Sequence, residues 1–360
     1  VADPDDFLGG RKTGGGQCSK GKQILLHSIL VYTSDSLYQK EYVTDEIANK
    51  QVFLSNNKVF RHNARMSMEL PQPPLLPLPP MSAATLVRAL FKRPAPGAAG
   101  AASSAAAPTR YLLASIDEEH VAYYREALGF GGRHLPLTYY YLLAQRAHLA
   151  TMLGAAFPFR LVGAIHVDNA LRAGIAPAAG RPLELATAVR IDAPAANGAV
   201  HAHLDTQATQ DGSLVFACRS TYLVVRGGRG GGARPAGQEA PLLAPLAAWQ
   251  LAPASGRDYA SLSGDWNPIH LWPWSARLMG LKAPIIHGMH TLGRACAELE
   301  RVGGRPVTRL DGRFRAPIAL GGTAALAASL ADGRYAVEVG GRLAVEGRFD
   351  FDTDQSMLNT

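Results

Sequence analysis

The chain has 360 residues, 47% of them apolar and 18% charged, with a formal net charge of +7; that length exceeds what a single core usually fills, so two cores are expected and a disordered chain is excluded. Its three cysteines, Cys18, Cys218 and Cys296, are odd in number and lack CxxC spacing, which excludes a disulfide framework and a cysteine zinc centre and points to a reducing compartment, the cytoplasm. Lysines and arginines are scattered rather than blocked with aromatics, against nucleic acid as a partner, and the apolar run Ile24 to Tyr32 is far short of the roughly 20 residues of a membrane span.

Residues 1–67 have a composition of their own. Six of the eight lysines (Lys12, Lys20, Lys22, Lys40, Lys50, Lys58) lie there, leaving only Lys92 and Lys282 for the remainder. This segment reads as foreign to the protein proper, a vector remnant or upstream read-through, with Met66, Met68 or Met81 as natural starts; a genuine extra module is the alternative. Residues 68–108 read as a proline- and alanine-rich linker. Six prolines between Pro71 and Pro80 favour an extended polyproline spacer, and Ser82 to Arg93 could form a short amphipathic helix.

A glycine-rich stretch, residues 227–243, divides the rest of the chain into two units, 109–226 and 244–352, with residues 353–360 as a tail. Each unit opens on a helical, aromatic-bearing region, passes through an apolar helix and ends in alternating strands. In the first unit the strands are LELATAVRI, VHAHLDTQAT and LVFACRSTYLVV; in the second they are VTRLDGRFRAPI, TAALAASL, YAVEVGG and RLAVEGRFDF. Residues 164–174 align with 285–295, and 134–140 with 270–276, so a duplicated α+β unit is expected, each with a helix wrapped by an antiparallel sheet.

The chemistry concentrates in SGDWNPIH, residues 263–270. Gly264 should end a helical turn begun at Tyr259, and Asp265 to Pro268 must turn, because Asx side chains bond their own backbone and proline keeps its predecessor out of helix. Asp265 and His270 can then be aimed at one water from a rigid irregular segment, which is general acid–base chemistry. Taken alone, the stretch reads first as an Asx-Pro turn with a capping or core histidine. Downstream, APIIHGMHTLGRACAELE begins a periodic helix at Gly288, whose N-terminal amides suit a developing oxyanion.

Tyr259, Ser263, Gly264, Asp265, Asn267, Pro268, His270, Ala276 and the segment Pro284 to Met289 together resemble the MaoC-like, (R)-specific enoyl-CoA hydratase and dehydratase family of hot-dog proteins. Arg313 to Gly322 resembles that family's first long strand after the central helix. The likeness spans about 244–351, with the first unit a worn copy. It implies a double hot-dog in which Asp265 and His270 act on the catalytic water, Gly288 contributes to the oxyanion site and Asn267 steadies the loop. No metal or cofactor is implied. The first unit, reading Gly129-Phe-Gly-Gly-Arg-His134 opposite the motif, lacks the carboxylate; one active site is expected, with small residues on the first helix leaving room for an acyl tail.

The implied reaction is reversible hydration of a trans-2-enoyl-CoA to the (3R)-hydroxyacyl-CoA. A 3-hydroxyacyl-carrier-protein dehydratase, a non-catalytic acyl-thioester-binding subunit and a thioesterase are the rivals, and a homodimer is compatible with each. Arg313, Arg315 and Lys282 are candidates for the phosphates of the thioester arm, and Met289 for the substrate wall. His201, His203 and Asp205 share a strand face but lack a fourth ligand for a metal. His287 is expected to support the loop, His290 to pack the helix, and Trp266, Trp272 and Trp274 to pack the loop against the core. The glycines at 227–232 precede no periodic helix and are linker, not a dinucleotide fingerprint.

Overall fold

The computed structural model describes residues 73–94, 107–225 and 243–352, all within the unit spanning residues 36–360. The readings of residues 1–67, the glycine-rich stretch before residue 243 and the tail lie outside the described residues. Among the described residues, no helix is long and apolar enough to cross a membrane.

Period-two burial makes the strands. Leu183–Ile191 (β4) and Val200–Gln210 (β5) alternate buried and half-buried positions along almost their whole length, the pattern of a strand with one face on a core. With Ser213–Val225 (β6), Ile165–Ala173 (β3) and Thr109–Leu113 (β2) they form the first unit. Val307–Phe314 (β8), Thr323–Ser329 (β9), Arg334–Val339 (β10), Arg342–Phe351 (β11) and Ala244–Gln250 (β7) form the second. A short strand, Leu75–Pro77 (β1), adds parallel to β2. The described strands make one eleven-stranded sheet in the order β1-β2-β4-β5-β6-β3-β8-β11-β10-β9-β7.

Outward from the central β3–β8 pair, both halves run in the same chain order. The duplication is therefore visible in the topology. The joint is antiparallel, with Asp168 opposite Arg313 and Leu171 opposite Leu310, and the Asp168 carboxylate lies 3.4 Å from the Arg313 guanidinium. The helices repeat likewise. Ala83–Phe91 (α1) precedes the duplication; Glu118–Leu128 (α2) and the long Tyr140–Leu153 (α3) of the first unit correspond to Ser255–Ser263 (α4) and Gly288–Gly303 (α6) of the second. Both α2 and α4 end on a left-handed glycine, Gly129 at φ 80° and Gly264 at φ 74°, a conformation that L side chains resist. The fold is the expected double hot-dog of the α+β class, α3 and α6 being the two enclosed helices.

Three expectations are corrected. Residues 165–173 are a strand, so 164–174 do not correspond to 285–295, which lead into and begin α6; the shared letters carry no period, whereas the two-residue burial alternation of β3 decides its state. Residues 134–140 lead into α3 just as 282–288 lead into α6, while 270–276 enter a short helix, Pro273–Leu278 (α5), that has no counterpart among the described residues of the first unit. Finally, part of the proline-rich spacer is structured. β1 pairs with β2, and the Arg146 guanidinium donates to the carbonyls of Leu78 and Pro79 at 3.0 Å each; an edge strand tolerates prolines because its outer amides need no partner. The amphipathic helix expected at 82–93 is α1, N-capped by Ser82.

Candidate active site

The irregular segment after α4 is held by its own polar side chains. Ser263 Oγ donates to the Tyr259 carbonyl at 2.7 Å and accepts from the Asp265 amide at 3.2 Å. Asp265 Oδ1 accepts the Asn267 amide at 3.2 Å, and Asn267 Oδ1 accepts that of Ile269 at 3.4 Å. Two successive Asx turns thus deliver the chain into the 3-10 turn Pro268–His270, with Pro268 fixing the entry. Asn267 sits where a loop-steadying residue belongs.

The His270 ring is buried and its Nδ1 lies 2.9 Å from the Ile285 carbonyl. A carbonyl only accepts, so Nδ1 carries the proton and Nε2 keeps its lone pair. From the other side, His287 Nε2 donates to the Asp265 backbone carbonyl at 2.9 Å, tying the loop to the start of α6; that is the loop support expected of it. His270 and His287 stack with centroids 3.7 Å apart. Burial holds both imidazoles below the ordinary histidine range; His287 depresses His270 further, while the Asp265 charge opposes the shift in each. His270 is consequently a neutral base. His290 packs edge-on against Tyr259 at 5.5 Å.

Asp265, His270 and His287 offer side-chain ligand atoms within 4.8 Å of one another. One carboxylate and two imidazoles this close can hold a water and move its protons; the two rings are stacked with their planes 26° apart.

Gly288 opens α6 directly after His287, leaving the first-turn amides without intrahelical partners. A Cβ there would meet the Phe314 ring at 2.5 Å; only glycine lets the helix end approach this closely. Met289, next in line, is buried in the core. The expected phosphate receivers are further out. Arg315 Nε binds Glu346 Oε1 at 2.7 Å, Arg313 faces Asp168 across the joint, and Lys282 is exposed. His203 is bonded to Asp192 and Thr221, and Asp205 to Arg219. The tryptophans depart from expectation: Trp272 and Trp274 are 39% and 62% exposed and stack on each other, and Trp266 is 40% exposed. The α5 segment buries Ser275 and Ala276 instead and leaves its tryptophans on the solvent side.

Two contributors were invisible in the sequence motif. The first unit turns Tyr141, His166 and Tyr222 toward this site, close enough for each to feel the Asp265 charge, and nothing local in the sequence announces that. Gly256, in α4, packs on the Asp265–His270 loop: a Cβ there would stand 2.0 Å from the His270 carbonyl oxygen.

Comparison with known proteins identifies the family. Residues 238–340 match the family model described as MaoC like domain. The chain is 33% identical over 228 residues to 3-hydroxyacyl-thioester dehydratase X of Mycobacterium tuberculosis, covering 61% of this chain and 79% of that protein. It belongs to the MaoC-like dehydratase family. The crystal structure of HtdX of M. tuberculosis superposes with a TM-score of 0.54 at 26% identity, covering 68% of this chain and all of that one. A shorter match, 39% identical over 95 residues, links it to the enoyl-CoA hydratase ChsH3 of the same organism, covering 25% of this chain and 33% of that protein. As a MaoC-like dehydratase the protein is a hydro-lyase. Gly256→Ala is then expected to lower kcat about a hundredfold, the usual consequence of moving a reacting group by ~1 Å; steady-state kinetics beside a melting curve would separate this from unfolding.

Proposed function

We propose that the protein catalyses reversible addition of water to a trans-2-enoyl thioester of coenzyme A, giving the (3R)-hydroxyacyl product, with Asp265 and His270 as the acid–base pair. The observation that carries this reading is the neutral Nε2 of His270 placed beside the Asp265 carboxylate at the front of α6. One water, held by the two groups, bonds through its oxygen to C3 and gives up a proton to the pair. The C2=C3 electrons move onto the thioester oxygen, where the Gly288 amide receives the negative charge. The pair then returns a proton to C2, restoring the carbonyl. The (3R) sense follows the family likeness.

The first unit, residues 109–226, supplies the partner sheet and a wall of the site, and the second, 244–352, the reacting groups; Arg313, Arg315, Lys282 and Met289 are assigned to substrate binding. Recruiting either arginine means exchanging its carboxylate for a phosphate. Cys218 and Cys296 are buried and unbonded, in keeping with a reducing cytoplasm. Dehydration of a carrier-bound 3-hydroxyacyl thioester is the second reading, with the same residues run in reverse; relatives named 3-hydroxyacyl-thioester dehydratase support that direction. Loss of absorbance at the enoyl thioester band tests both. Crotonyl, octenoyl and decenoyl chains presented on coenzyme A should be hydrated at least as fast as the same chains on a carrier protein; a clear preference for the carrier moves the protein to the second reading. Release of free thiol without hydration defeats both.

A further inference from the structure

α3 carries a polar stripe that an apolar acyl tunnel does not need. Tyr141, Gln145 and His148 stand at i, i+4 and i+7, one face of the helix, with the small, buried Ala144 beside them. All three are buried; Gln145 is 8% exposed and His148 1%. Against this face lie His166 of β3 and Tyr222 of β6. The His166 ring stacks on Tyr141 at 5.8 Å and on Tyr222 at 4.8 Å, and it meets Phe314, the residue packed on Gly288, at 5.1 Å. The stripe is therefore continuous with the reacting centre and runs about 10 Å deeper, at 1.5 Å of helix rise per residue.

The stripe's own hydrogen bonds do not close. The Tyr141 and Tyr222 hydroxyls bond each other. His166 donates to the Asp168 backbone, leaving its buried Nε2 unpaired; Gln145 Oε1 and both nitrogens of His148 are also buried without a partner. Buried polar atoms are nearly always paired in native proteins, so a run of them marks where something else binds. These unpaired atoms are mostly acceptors: the His166 lone pair, the Gln145 oxygen and one nitrogen of a neutral His148, which burial pushes down to about 3. The missing partner must bring a donor, and a hydroxyl, which both donates and accepts, also serves the remaining N–H of His148. At the outer end His166, Tyr222, Phe314 and Gly288 stay partly exposed, whereas Gln145 and His148 are closed in. This is the order expected for a chain entering past Gly288.

We infer that the stripe is a hydroxyl-recognising subsite: the preferred acyl thioester carries, beyond its reacting C2–C3 bond, a second oxygen as a hydroxyl that His166, Gln145 and His148 receive. The inference rests on the hydratase reading above. A pocket built to bond a hydroxyl penalises the analogue lacking it, because its own groups are left unpaired.

The test compares kcat/KM for trans-2-octenoyl-CoA and trans-2-decenoyl-CoA, each with and without an ω-hydroxyl. The unaltered protein should favour a hydroxylated chain by about tenfold or more. In Gln145→Leu and His148→Leu that ratio should fall to one or below, and His148→Gln, which stays polar and is gentler on folding, should keep part of it. A ratio near one in the unaltered protein means that these atoms hold only water, and overturns the inference while hydration of crotonyl-CoA leaves the hydratase reading standing. A ratio that survives in folded leucine variants overturns the location. Absence of any hydration, crotonyl-CoA included, overturns the underlying reading and this one with it.

Discussion

Asp265→Asn is expected to cut kcat for enoyl-CoA hydration by about a thousandfold while leaving the fold intact. Asparagine keeps the side-chain oxygen that accepts the Asn267 amide, so the Asx turn and the aim of the loop survive. What it loses is the charge and the proton affinity. General acid–base groups contribute roughly 10²–10⁴ in rate, which sets the size of the effect. His270→Gln should cost about as much: its amide can still donate to the Ile285 carbonyl, but it offers no basic lone pair at the position of Nε2. Because the two groups serve one water, the double variant should be little worse than either single one. Retention of more than a tenth of the unaltered kcat by Asp265→Asn would mean that the carboxylate does not carry the chemistry.

The second large effect is acid lability. His148 and His290 are pushed down to about 3 and His166 to about 4 by burial, and His270 and His287 are lowered for the same reason. In the unfolded chain each titrates near 6.5. The unfolded state therefore binds more protons than the folded one at any pH between these limits. Stability is fully present above about 6.5 and is lost as pH falls toward 4 and 3. Each such histidine contributes a slope of about 1.4 kcal/mol per pH unit once pH is well below 6.5. Three of them make about 4 kcal/mol per unit, against a whole-domain stability on the order of 5–15 kcal/mol. Two carboxyls act in the opposite sense: burial outweighs the attraction of Arg313 and lifts Asp168 to about 6, and raises Asp311. They add stability as pH falls through their raised values, but they are two against five. Urea denaturation at pH 7.5, 6.5 and 5.5 should show the unfolding free energy dropping by several kcal/mol; a flat profile would mean that these rings are hydrated in solution.

Legibility followed the range of the forces involved. β4, β5, β6 and the strands β8 to β11 announced themselves through alternation, because each lies half on a core and half off it. β2 and β7 did not: TRYLL and APLAAWQ are short, and their state is set by the neighbours they pair with rather than by their own pattern. β1 was hidden by prolines that an edge position tolerates. The Asp265–His270 loop was readable because its turns are made by its own Asx and proline residues. The aromatic wall from the first unit was not readable, since His166 and Tyr222 reach the site only after the β3–β6 ladder and the β3–β8 joint have formed. Gly256 was equally opaque, being needed by a carbonyl fourteen residues away.

That central joint also bears on ancestry. It is antiparallel, with Leu171 facing Leu310 and Arg172 facing Arg309, so the same edge-to-edge geometry would form between two separate chains related by a dyad. A covalent link adds only proximity to such a pairing. What it does permit is divergence: once joined, one copy can surrender its carboxylate and fill its helix face with Gln145 and His148, a specialisation closed to two identical subunits.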